Sequence, residues 1–318
     1  MDFAVMNTYY QKKIPFFFIF NFDLSEGEVL PLQHTAEADI LYSTKRRQNF
    51  EQVFSPKKIV WNKSPVLYEE YERQFNQAQR HICRGNSYLI NLTFSTLVKT
   101  NCDLLSLFYA GKSPYKLFYK NRFIHFSPEP FVKITGDEIV SFPMKGTIDA
   151  GIPQAEENLL NSPKEINEQY IIVDLIRNDL SMIAREVRVE SFRYMERIRT
   201  NEKELLTISS KIKGKLIKEF RERPGDIFKM ILPAGSICGA PKRKTLEIIA
   251  ETETHKRNFY TGVWGIFDGM EIDSCVIIRY LENENGNFFY KSGGGITAKS
   301  HAATEYQEMI DKVYVPVY

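Results

Sequence analysis

The sequence has few of the features that mark disulfide-bonded, zinc-binding or nucleic-acid-binding proteins. Its 318 residues include four cysteines without a CxxC pair or a paired framework, which favours free thiols in a reducing compartment. The five histidines form no HExxH or comparable zinc-binding pattern. A formal net charge of +2 leaves no excess of basic residues for a polyanion, so we expect no nucleic-acid partner.

Long hydrophobic runs are also missing from the sequence. The apolar segment at residues 14–20 is far shorter than the run of about 20 residues that a membrane-spanning helix needs. No small-residue cleavage site follows it, so the segment does not resemble a signal peptide. We interpret it as a buried strand, and we expect a cytoplasmic protein that does not bind a membrane.

The sequence is instead rich in alternating helical and strand patterns. No low-complexity linker divides it, so we predict one domain over residues 1–318. The order of elements is not a clean βαβ repeat, which favours an α/β or α+β domain with extensive antiparallel sheet. The patterns predict helices at residues 68–85, from 162 onwards, 202–209, 224–232, 242–252 and 300–313, and strands at 87–98, 117–126, 139–147, 260–267 and 274–281.

Two glutamate pairs share the same helical spacing. Glu165 and Glu168 lie three residues apart on one predicted helix, and Glu305 and Glu308 repeat the spacing on the last one. If the two faces oppose each other, four carboxylates converge and repel one another unless a cation lies between them, and Mg²⁺ suits such oxygen ligands. The alternative to a metal site is that each glutamate acts only within its own helix. Glu165 completes a Ser-x-x-Glu capping box with Ser162, and glutamates at this spacing are common on solvated faces.

A lysine and a glutamate form a second candidate group. Lys145 precedes Gly146 and Thr147 at a predicted strand end, and Glu129 follows Pro128 sixteen positions earlier. A lysine becomes a nucleophile when its amine is held neutral, and the adjacent glycine lets the backbone approach a ligand. A partly buried glutamate can protonate a leaving hydroxyl. Each residue also has an ordinary interpretation, as a surface lysine and as a turn glutamate.

Two further segments are suited to binding an anion. Gly293, Gly294 and Gly295 precede the last predicted helix, where backbone amides and a helix N-terminus can hold a negative charge. Arg279 ends an apolar strand pattern and is placed for bidentate capture of a carboxylate. A structural salt bridge is the competing explanation for Arg279.

The order and spacing of these groups resemble the chorismate-binding family, which includes anthranilate, isochorismate, salicylate and aminodeoxychorismate synthases. The resemblance covers about residues 70–318. It rests on GNSYLINL at residues 85–92, SPE at 127–129, PMKGT at 143–147, EQYIIVDLIRND at 168–179, PAGSICGAPK at 233–242, YTG at 260–262 and the segment 293–308.

The resemblance implies a fold and a division of the chain. The expected fold is α+β, with two stacked, largely antiparallel sheets flanked by helices in α/β/β/α layers. Residues 1–70 would form a shortened, strand-rich N-terminal part of the domain, and residues 71–318 its catalytic core.

The resemblance also implies an enzyme that acts on chorismate with Mg²⁺. Lys145 would attack ring C2 while Glu129 protonates the departing C4 hydroxyl. The remaining roles are shared by groups of residues. Mg²⁺ would be held by Glu165, Glu168, Glu305 and Glu308, the enolpyruvyl carboxylate by Tyr260, Arg279 and the amides of Gly293, Gly294 and Gly295, and Gly146 and Thr147 would complete the substrate site.

Two positions distinguish reactions within the family. The position of Lys145 is typically alanine in anthranilate, isochorismate and salicylate synthases, whereas the Pro-x-Lys-Gly-Thr motif resembles that of aminodeoxychorismate synthase component I. Leu89 stands where water-adding members carry a lysine base. We therefore expect amination of chorismate to 4-amino-4-deoxychorismate through a covalent lysine adduct, for 4-aminobenzoate and folate biosynthesis. The alternatives are an anthranilate synthase large subunit, a non-catalytic chorismate-binding subunit and, last, a pyridoxal phosphate enzyme.

The sequence also departs from the family pattern. Thr207 stands where many relatives carry a histidine, so we assign it no catalytic role. Cys238 lacks the pattern of a glutaminase nucleophile, so the ammonia is expected from a separate glutamine amidotransferase subunit. No lyase pattern is present, and conversion to 4-aminobenzoate would need another protein.

Overall fold

The computed structural model describes residues 2–53, 58–199 and 204–316. Within these ranges the chain forms eight α-helices and seventeen β-strands. The helices are α1 (Phe3–Gln11), α2 (Tyr68–Cys83), α3 (Leu104–Ala110), α4 (Ala155–Asn161), α5 (Pro163–Ser181), α6 (Pro224–Ile231), α7 (Lys242–Thr252) and α8 (Ala302–Asp311). The strands are β1 (Phe16–Phe20), β2 (Gly27–Pro31), β3 (Ile40–Ser43), β4 (Trp61–Ser64), β5 (Leu89–Thr100), β6 (Tyr115–Tyr119), β7 (Phe123–Ser127), β8 (Pro130–Thr135), β9 (Glu138–Ser141), β10 (Met144–Asp149), β11 (Ala184–Arg199), β12 (Glu204–Leu216), β13 (Gly239–Ala240), β14 (Val263–Phe267), β15 (Glu271–Val276), β16 (Tyr280–Glu284) and β17 (Asn287–Ile296).

The strands form two antiparallel sheets. In the described part of the chain, the first sheet has nine strands in the order β10-β12-β9-β8-β15-β14-β1-β2, with β11 paired to β12. The second sheet has eight strands in the order β13-β5-β17-β16-β7-β6-β3, with β4 paired to β5. Lys145 therefore lies on the first sheet and the three glycines on the second, so a site that contains both must span the two sheets.

The apolar segment at residues 14–20 shows how the layers stack. It forms β1, as expected, and all five of its side chains are fully buried. Successive side chains of a strand point to opposite faces. Phe18 contacts Phe228 of α6, with ring centres 4.7 Å apart, whereas Phe17 contacts Trp264 among the residues packed between the sheets. One face of β1 thus packs on helices and the other on the second sheet.

Helices α2, α7 and α8 cover the outer face of the second sheet. Tyr71, Ile248 and Met309 from these helices pack together against Ile90 and Ile296 of the sheet. With α1, α5 and α6 on the first sheet, the arrangement is helices, sheet, sheet, helices. The predicted α+β fold with α/β/β/α layers is confirmed.

The N-terminal seventy residues contribute to both sheets. Strand β1 lies between β14 and β2 in the first sheet, and β3 pairs with β6 in the second. The sequence pattern missed α1, because its hydrophobic residues show only a weak amphipathic order. No helix in the described ranges combines the length and apolar character that crossing a membrane requires.

Several predicted elements are correct and others are wrong. Helices α2, α5, α6 and α7 lie where they were predicted. At the start of α5, the Ser162 hydroxyl accepts a hydrogen bond from the backbone amide of Glu165 at 3.4 Å. The helix predicted at residues 202–209 is wrong for residues 204–209, which begin β12, while residues 202 and 203 lie outside the described ranges. This segment forms a strand because it pairs with β10 on one side and β11 on the other. Such tertiary pairing outweighs a weak helix propensity.

Two predicted single strands are each split by residues with positive φ, and a third, at residues 139–147, is interrupted at Phe142 and Pro143 between β9 and β10. Residues 117–126 contain a hairpin turn between β6 and β7, where Lys120 and Asn121 have φ values of 50° and 49°. Residues 274–281 end β15 and begin β16, and Arg279 between them has a φ of 52°. Non-glycine residues with positive φ are uncommon, so an apolar pattern alone did not reveal either break.

Candidate active site

A bulge in β10 determines where Lys145 points. Lys145 pairs with Ile208 of β12 but Thr147 pairs with Thr207, so Gly146 is the extra residue. Gly146 has a φ of +75°, and a Cβ atom added there would lie 2.8 Å from Oε2 of Glu165. Both facts require glycine. The Thr207 hydroxyl donates to the Gly146 carbonyl at 2.7 Å, so the residue at the family histidine position supports the bulge.

Lys145 points into the protein rather than to solvent. Its Nζ donates to the backbone carbonyl of Ser236 at 3.3 Å, and the side chain is half-buried. Ser236 lies in the short turn Gly235–Ile237 that precedes β13. Lys145 is therefore partly shielded from solvent, and its role as a nucleophile stays a prediction.

Glu129 lies beside Lys145 at the junction of β7 and β8. The side chain is 7% exposed, and this burial raises the pKa of Glu129 above the ordinary glutamate value, although Lys145, the Ser236 hydroxyl and Arg279 act in the opposite direction. A raised pKa favours the protonated carboxyl, which is the form that can donate a proton. Glu129 and Lys145 thus both interact with Ser236, one through its hydroxyl and the other through its carbonyl.

Arg279 and Tyr260 also lie near Glu129. Within the described ranges, no carboxylate lies within 4.0 Å of the Arg279 guanidinium, so the structural salt bridge is not present there. Its Nε donates to the Tyr314 hydroxyl at 3.3 Å, and the guanidinium lies 5.3 Å from the centre of that ring. Burial raises the pKa of Tyr260 to about 12, with Arg257 and Arg279 opposing the change. Arg279 is therefore a cation near Glu129 that can take an anionic ligand.

The three glycines do not form a turn before a helix, which corrects the sequence prediction. Gly293, Gly294 and Gly295 lie inside β17 and pair with Thr93, Leu92 and Asn91 of β5. The strand continues through them because the pairing with β5 supplies partners along its whole length. A Cβ atom on Gly294 would lie 3.4 Å from Glu305 Oε2, and one on Gly295 would lie 3.0 Å from Glu168 Oε2. The glycines leave room for these carboxylates, and their binding of an anion stays a prediction.

The four glutamates lie on two helices whose carboxylate faces approach each other, which is the condition on which the expected cation site depended. Glu165 and Glu168 belong to α5, and Glu305 and Glu308 to α8. Lys164 joins the two helices, because its Nζ lies 2.8 Å from Glu305 Oε1 and 3.1 Å from Glu308 Oε2.

A second lysine contacts Glu308 from the C-terminal end of the same helix. Lys312 Nζ lies 2.8 Å from Glu308 Oε1 and donates to the Gly293 carbonyl at 2.9 Å. The carboxylates are therefore accompanied by two ammonium groups, of which Lys164 alone contacts both Glu305 and Glu308 in the described part of the chain.

The electrostatic environment differs among the carboxylates. Burial raises the pKa of Glu168 to about 7, against the opposing effect of Lys145, and burial also raises the pKa of Glu165. Burial acts in the same direction on Glu308, but Lys312 and Lys164 outweigh it and lower its pKa. Glu168 thus needs a further cation to be fully ionised at neutral pH.

The donor set fits Mg²⁺ in chemistry but is not arranged as a finished metal site. No group of three or more His, Cys, Asp or Glu side chains in the described ranges is close enough to hold a metal ion. However, Oε1 of Glu168 and Oε2 of Glu305 are buried without a hydrogen-bond partner there, and such oxygens are costly unless a cation or donor satisfies them. Carboxylate oxygens are the ligands that Mg²⁺ prefers. The metal role of the four glutamates stays a prediction.

The structure separates one predicted residue from the site and adds three others. Thr147 is exposed opposite Thr207 and does not join the buried group. Ser236, Lys164 and Lys312 were not singled out in the sequence. Ser236 lies in the motif at residues 233–242, and the two lysines stand next to Glu165 and four residues after Glu308, so proximity to the motifs was the available signal.

The sequence is similar to a known family and to known proteins. The family described as chorismate binding enzyme matches residues 19–317. A protein from Pasteurella multocida named Uncharacterized PabA-like protein is 44% identical over 313 residues, which are 98% of this chain and 97% of that protein. Aminodeoxychorismate synthase component 1 of Escherichia coli (strain K12) is 33% identical over 267 residues, covering 79% of this chain and 57% of that protein.

Solved structures share the fold. Anthranilate synthase component I from Streptococcus pneumoniae TIGR4 superimposes with a TM-score of 0.69 and 26% identity, covering 80% of this chain and 58% of that chain. The menaquinone-specific isochorismate synthase of Escherichia coli gives a TM-score of 0.73 at 16% identity, covering 97% of this chain and 79% of that chain. At this lower identity the second likeness concerns the fold alone.

Proposed function

The chain belongs to the chorismate-binding enzyme family, and we propose that it is an aminodeoxychorismate synthase component I, which converts chorismate and ammonia to 4-amino-4-deoxychorismate. It is related to both the aminodeoxychorismate and the anthranilate synthases. The observation that carries the proposal is the meeting of the Lys145 amine and the Glu129 carboxyl at Ser236. This arrangement provides a nucleophile and a proton donor side by side.

Lys145 and Glu129 share the first chemical step. The neutral amine of Lys145 attacks ring C2, the two ring double bonds shift by one position, and the C4–oxygen bond breaks. Glu129 gives its proton to the departing hydroxyl, which leaves as water. The product of this step is a ring joined to the enzyme through the lysine nitrogen.

Ammonia then completes the exchange. It adds at C4, the double bonds return to their original positions, and the bond between C2 and the lysine nitrogen breaks. Lys145 leaves with that electron pair as a neutral amine, and the proton that the added ammonia loses returns to Glu129, which restores both groups for the next turnover. Two displacements of this kind replace one difficult substitution at C4.

The remaining groups would bind and orient the substrate. Arg279 and Tyr260 are proposed to hold the enolpyruvyl carboxylate, because Arg279 has no carboxylate partner in the described ranges. Glu165, Glu168, Glu305 and Glu308 would hold Mg²⁺, which when bound neutralises and fixes the ring carboxylate. Such positioning supplies a large part of the acceleration in many enzymes.

The amino nitrogen is proposed to come from a separate glutamine amidotransferase subunit. The relative from Pasteurella multocida carries the name PabA-like, and the Escherichia coli relative is named component 1 of its synthase. Cys238 is buried, and burial raises its pKa to about 12, so its thiol is not suited to glutamine hydrolysis. The product would serve 4-aminobenzoate and folate biosynthesis.

Product analysis tests the proposal. Purified protein would be incubated with chorismate, Mg²⁺ and ammonium at mildly alkaline pH, and the products separated and identified by mass. We expect 4-amino-4-deoxychorismate from the wild type, and its loss in Lys145→Ala. Lys211→Met, which changes a surface lysine paired with Glu190, serves as the control that keeps activity. Anthranilate with pyruvate would show instead an anthranilate synthase, and binding without any product would show a non-catalytic subunit.

A further inference from the structure

Lys164 occupies an unusual place among the four carboxylates. It precedes Glu165 in the first turn of α5, yet its ammonium group contacts Glu305 and Glu308 of α8 at 2.8 and 3.1 Å. Burial of Glu305 is almost complete, with 2% of the side chain exposed, whereas Lys164 keeps 29% of its side chain exposed. The lysine can therefore leave the carboxylates for solvent, but Glu305 cannot follow it.

The oxygens that Lys164 holds are also those that a metal would need. Glu308 is fully engaged, because Lys164 contacts its Oε2 and Lys312 its Oε1. Glu305 uses one oxygen for Lys164, and the other is buried without a hydrogen-bond partner in the described ranges. A divalent cation that takes ligands from α8 must therefore displace Lys164, or share oxygens with it at a cost in repulsion.

We propose that Lys164 is the counter-ion of the metal-free site, holding α8 against α5 until a divalent cation enters and takes its place. The inference rests on the metal site of the proposed function. It assigns to Lys164 a regulatory role that is distinct from binding substrate. Lys164 sets the affinity of the site for Mg²⁺, because each binding event must first break its contacts with Glu305 and Glu308.

This role has two opposite consequences for a variant that lacks the charge. Lys164→Met leaves the α8 carboxylates without their interhelical partner, so the metal-free protein becomes less stable. The same change removes the ammonium group that competes with Mg²⁺. Mg²⁺ therefore binds about tenfold more tightly, because the two contacts of Lys164 with Glu305 and Glu308 are each worth a few-fold in affinity. A purely structural lysine would produce the first effect without the second.

Lys312 provides the matched control. It carries the same charge and contacts Glu308 at 2.8 Å, but it directly follows α8, forms no ion pair with Glu305 in the described part of the chain and does not join the helices. Lys312→Met therefore measures the effect of removing one positive charge and one contact with Glu308, while Glu305 keeps its contact with Lys164. Lys164→Arg, which keeps the charge, should restore the stability of the metal-free protein.

The experiment measures Mg²⁺ binding and thermal stability without any turnover. Isothermal titration with MgCl₂ gives the dissociation constant, and thermal unfolding in EDTA and in MgCl₂ gives the stabilisation by metal. We expect the metal-free melting temperature to fall in Lys164→Met, and both the affinity and the stabilisation by Mg²⁺ to rise beyond those of wild type and Lys312→Met.

The outcomes separate this inference from the proposed function. If wild type binds Mg²⁺ and Lys164→Met binds it no more tightly than Lys312→Met does, the inference is overturned and the metal site stands. If neither wild type nor Lys164→Met binds Mg²⁺, the metal site of the proposed function fails together with the inference. Product formation, measured separately, then decides whether the amination proposal survives without metal.

Discussion

At the scale of single residues, the bulge at Gly146 couples the nucleophile to the carboxylates. Gly146 lies between Lys145, which reaches Ser236, and the Glu165 carboxylate, which lies against the glycine. The Thr207 hydroxyl holds the carbonyl of the same glycine. A change at this one position therefore affects the direction of the amine and the position of a predicted metal ligand together.

Gly146→Ala tests this coupling. A φ of +75° strains any residue with a Cβ atom, at a cost of about 1–2 kcal/mol. Gly136→Ala is the control, because Gly136 has a φ of +60° with no atom within 4 Å of an added Cβ. We expect similar losses in the free energy of unfolding from both variants. Activity should fall in Gly146→Ala alone, because there the added methyl group displaces the Glu165 carboxylate. Equal activities would contradict the coupling.

The raised pKa of Glu129 gives the activity and the stability a defined pH dependence. An acid catalyst must be protonated, so kcat/KM should fall as pH rises through this pKa, and Glu129→Gln should lose about 10²–10⁴-fold in rate. Between the ordinary glutamate pKa near 4.3 and the raised value, the folded state binds more protons than the unfolded state. The contribution of Glu129 to the free energy of unfolding therefore decreases as pH rises between these two pKa values.

Urea unfolding between pH 5 and pH 8 measures the second effect. The free energy of unfolding should decline less with pH in Glu129→Gln than in wild type. Glu138→Gln, which changes a half-exposed glutamate on β9, should follow the wild-type curve. An unchanged slope in Glu129→Gln would show that Glu129 is ionised in the folded protein.

At the scale of secondary-structure elements, a hydrogen bond joins the two sheets. His125 of β7 accepts the indole N–H of Trp264 of β14, and both side chains are fully buried. Burial lowers the pKa of His125 to about 3. The imidazole therefore stays neutral, and its Nε2 atom can accept the hydrogen bond from Trp264. The two sheets are thus held together by packing and by a polar contact that protonation would break.

This contact predicts sensitivity to acid. Between pH 6.5 and pH 3, His125 is protonated in the unfolded state but neutral in the folded state. The free energy of unfolding therefore falls as pH decreases through this window. Burial lowers the pKa of His255 to about 4, which adds in the same direction. His125→Gln keeps an acceptor but cannot titrate, and it should remove roughly 2–3 kcal/mol of the loss between pH 7 and pH 4.5. The exposed His34→Gln is the control, and a wild-type acid dependence in His125→Gln would refute the assignment.

Element prediction from the sequence succeeded where local signals were sufficient. Ser162 before Pro163 marked the start of α5, and the glutamate spacing showed which carboxylates share a face on α5 and on α8, but not that the two faces approach each other. The glycines at 293–295 were misplaced because their pairing partners on β5 lie some 200 positions earlier, and no local pattern reports such a partner. The Ser236 carbonyl could not be predicted either, because any residue in that turn presents one.

At the scale of the whole molecule, the N-terminal strands are inseparable from the rest of the fold. Strand β1 lies inside the first sheet and its side chains fill both of the neighbouring layers. We propose that the chain therefore unfolds as one cooperative domain, in which residues 1–70 are a required part of the sheets.

The two tryptophans allow a test of this cooperativity. Trp61 lies on β4 of the second sheet and Trp264 on β14 of the first. In urea, the fluorescence of Trp61→Phe reports the first sheet and that of Trp264→Phe reports the second. Each fluorescence transition should have the same midpoint as the circular dichroism of the same variant. Separate midpoints would show that the sheets unfold independently.

The covalent step between Lys145 and chorismate is the central claim, and trapping the adduct tests it most directly. Enzyme would be mixed with chorismate and Mg²⁺ without ammonia, denatured, and digested for mass analysis of the peptide that contains Lys145. We expect a peptide heavier by chorismate less one water in wild type. The added mass should be absent in Lys145→Ala, strongly reduced in Glu129→Gln and lost from wild type when ammonium is added. An unmodified lysine in an enzyme that still forms 4-amino-4-deoxychorismate, or full activity in Lys145→Ala, would contradict this claim.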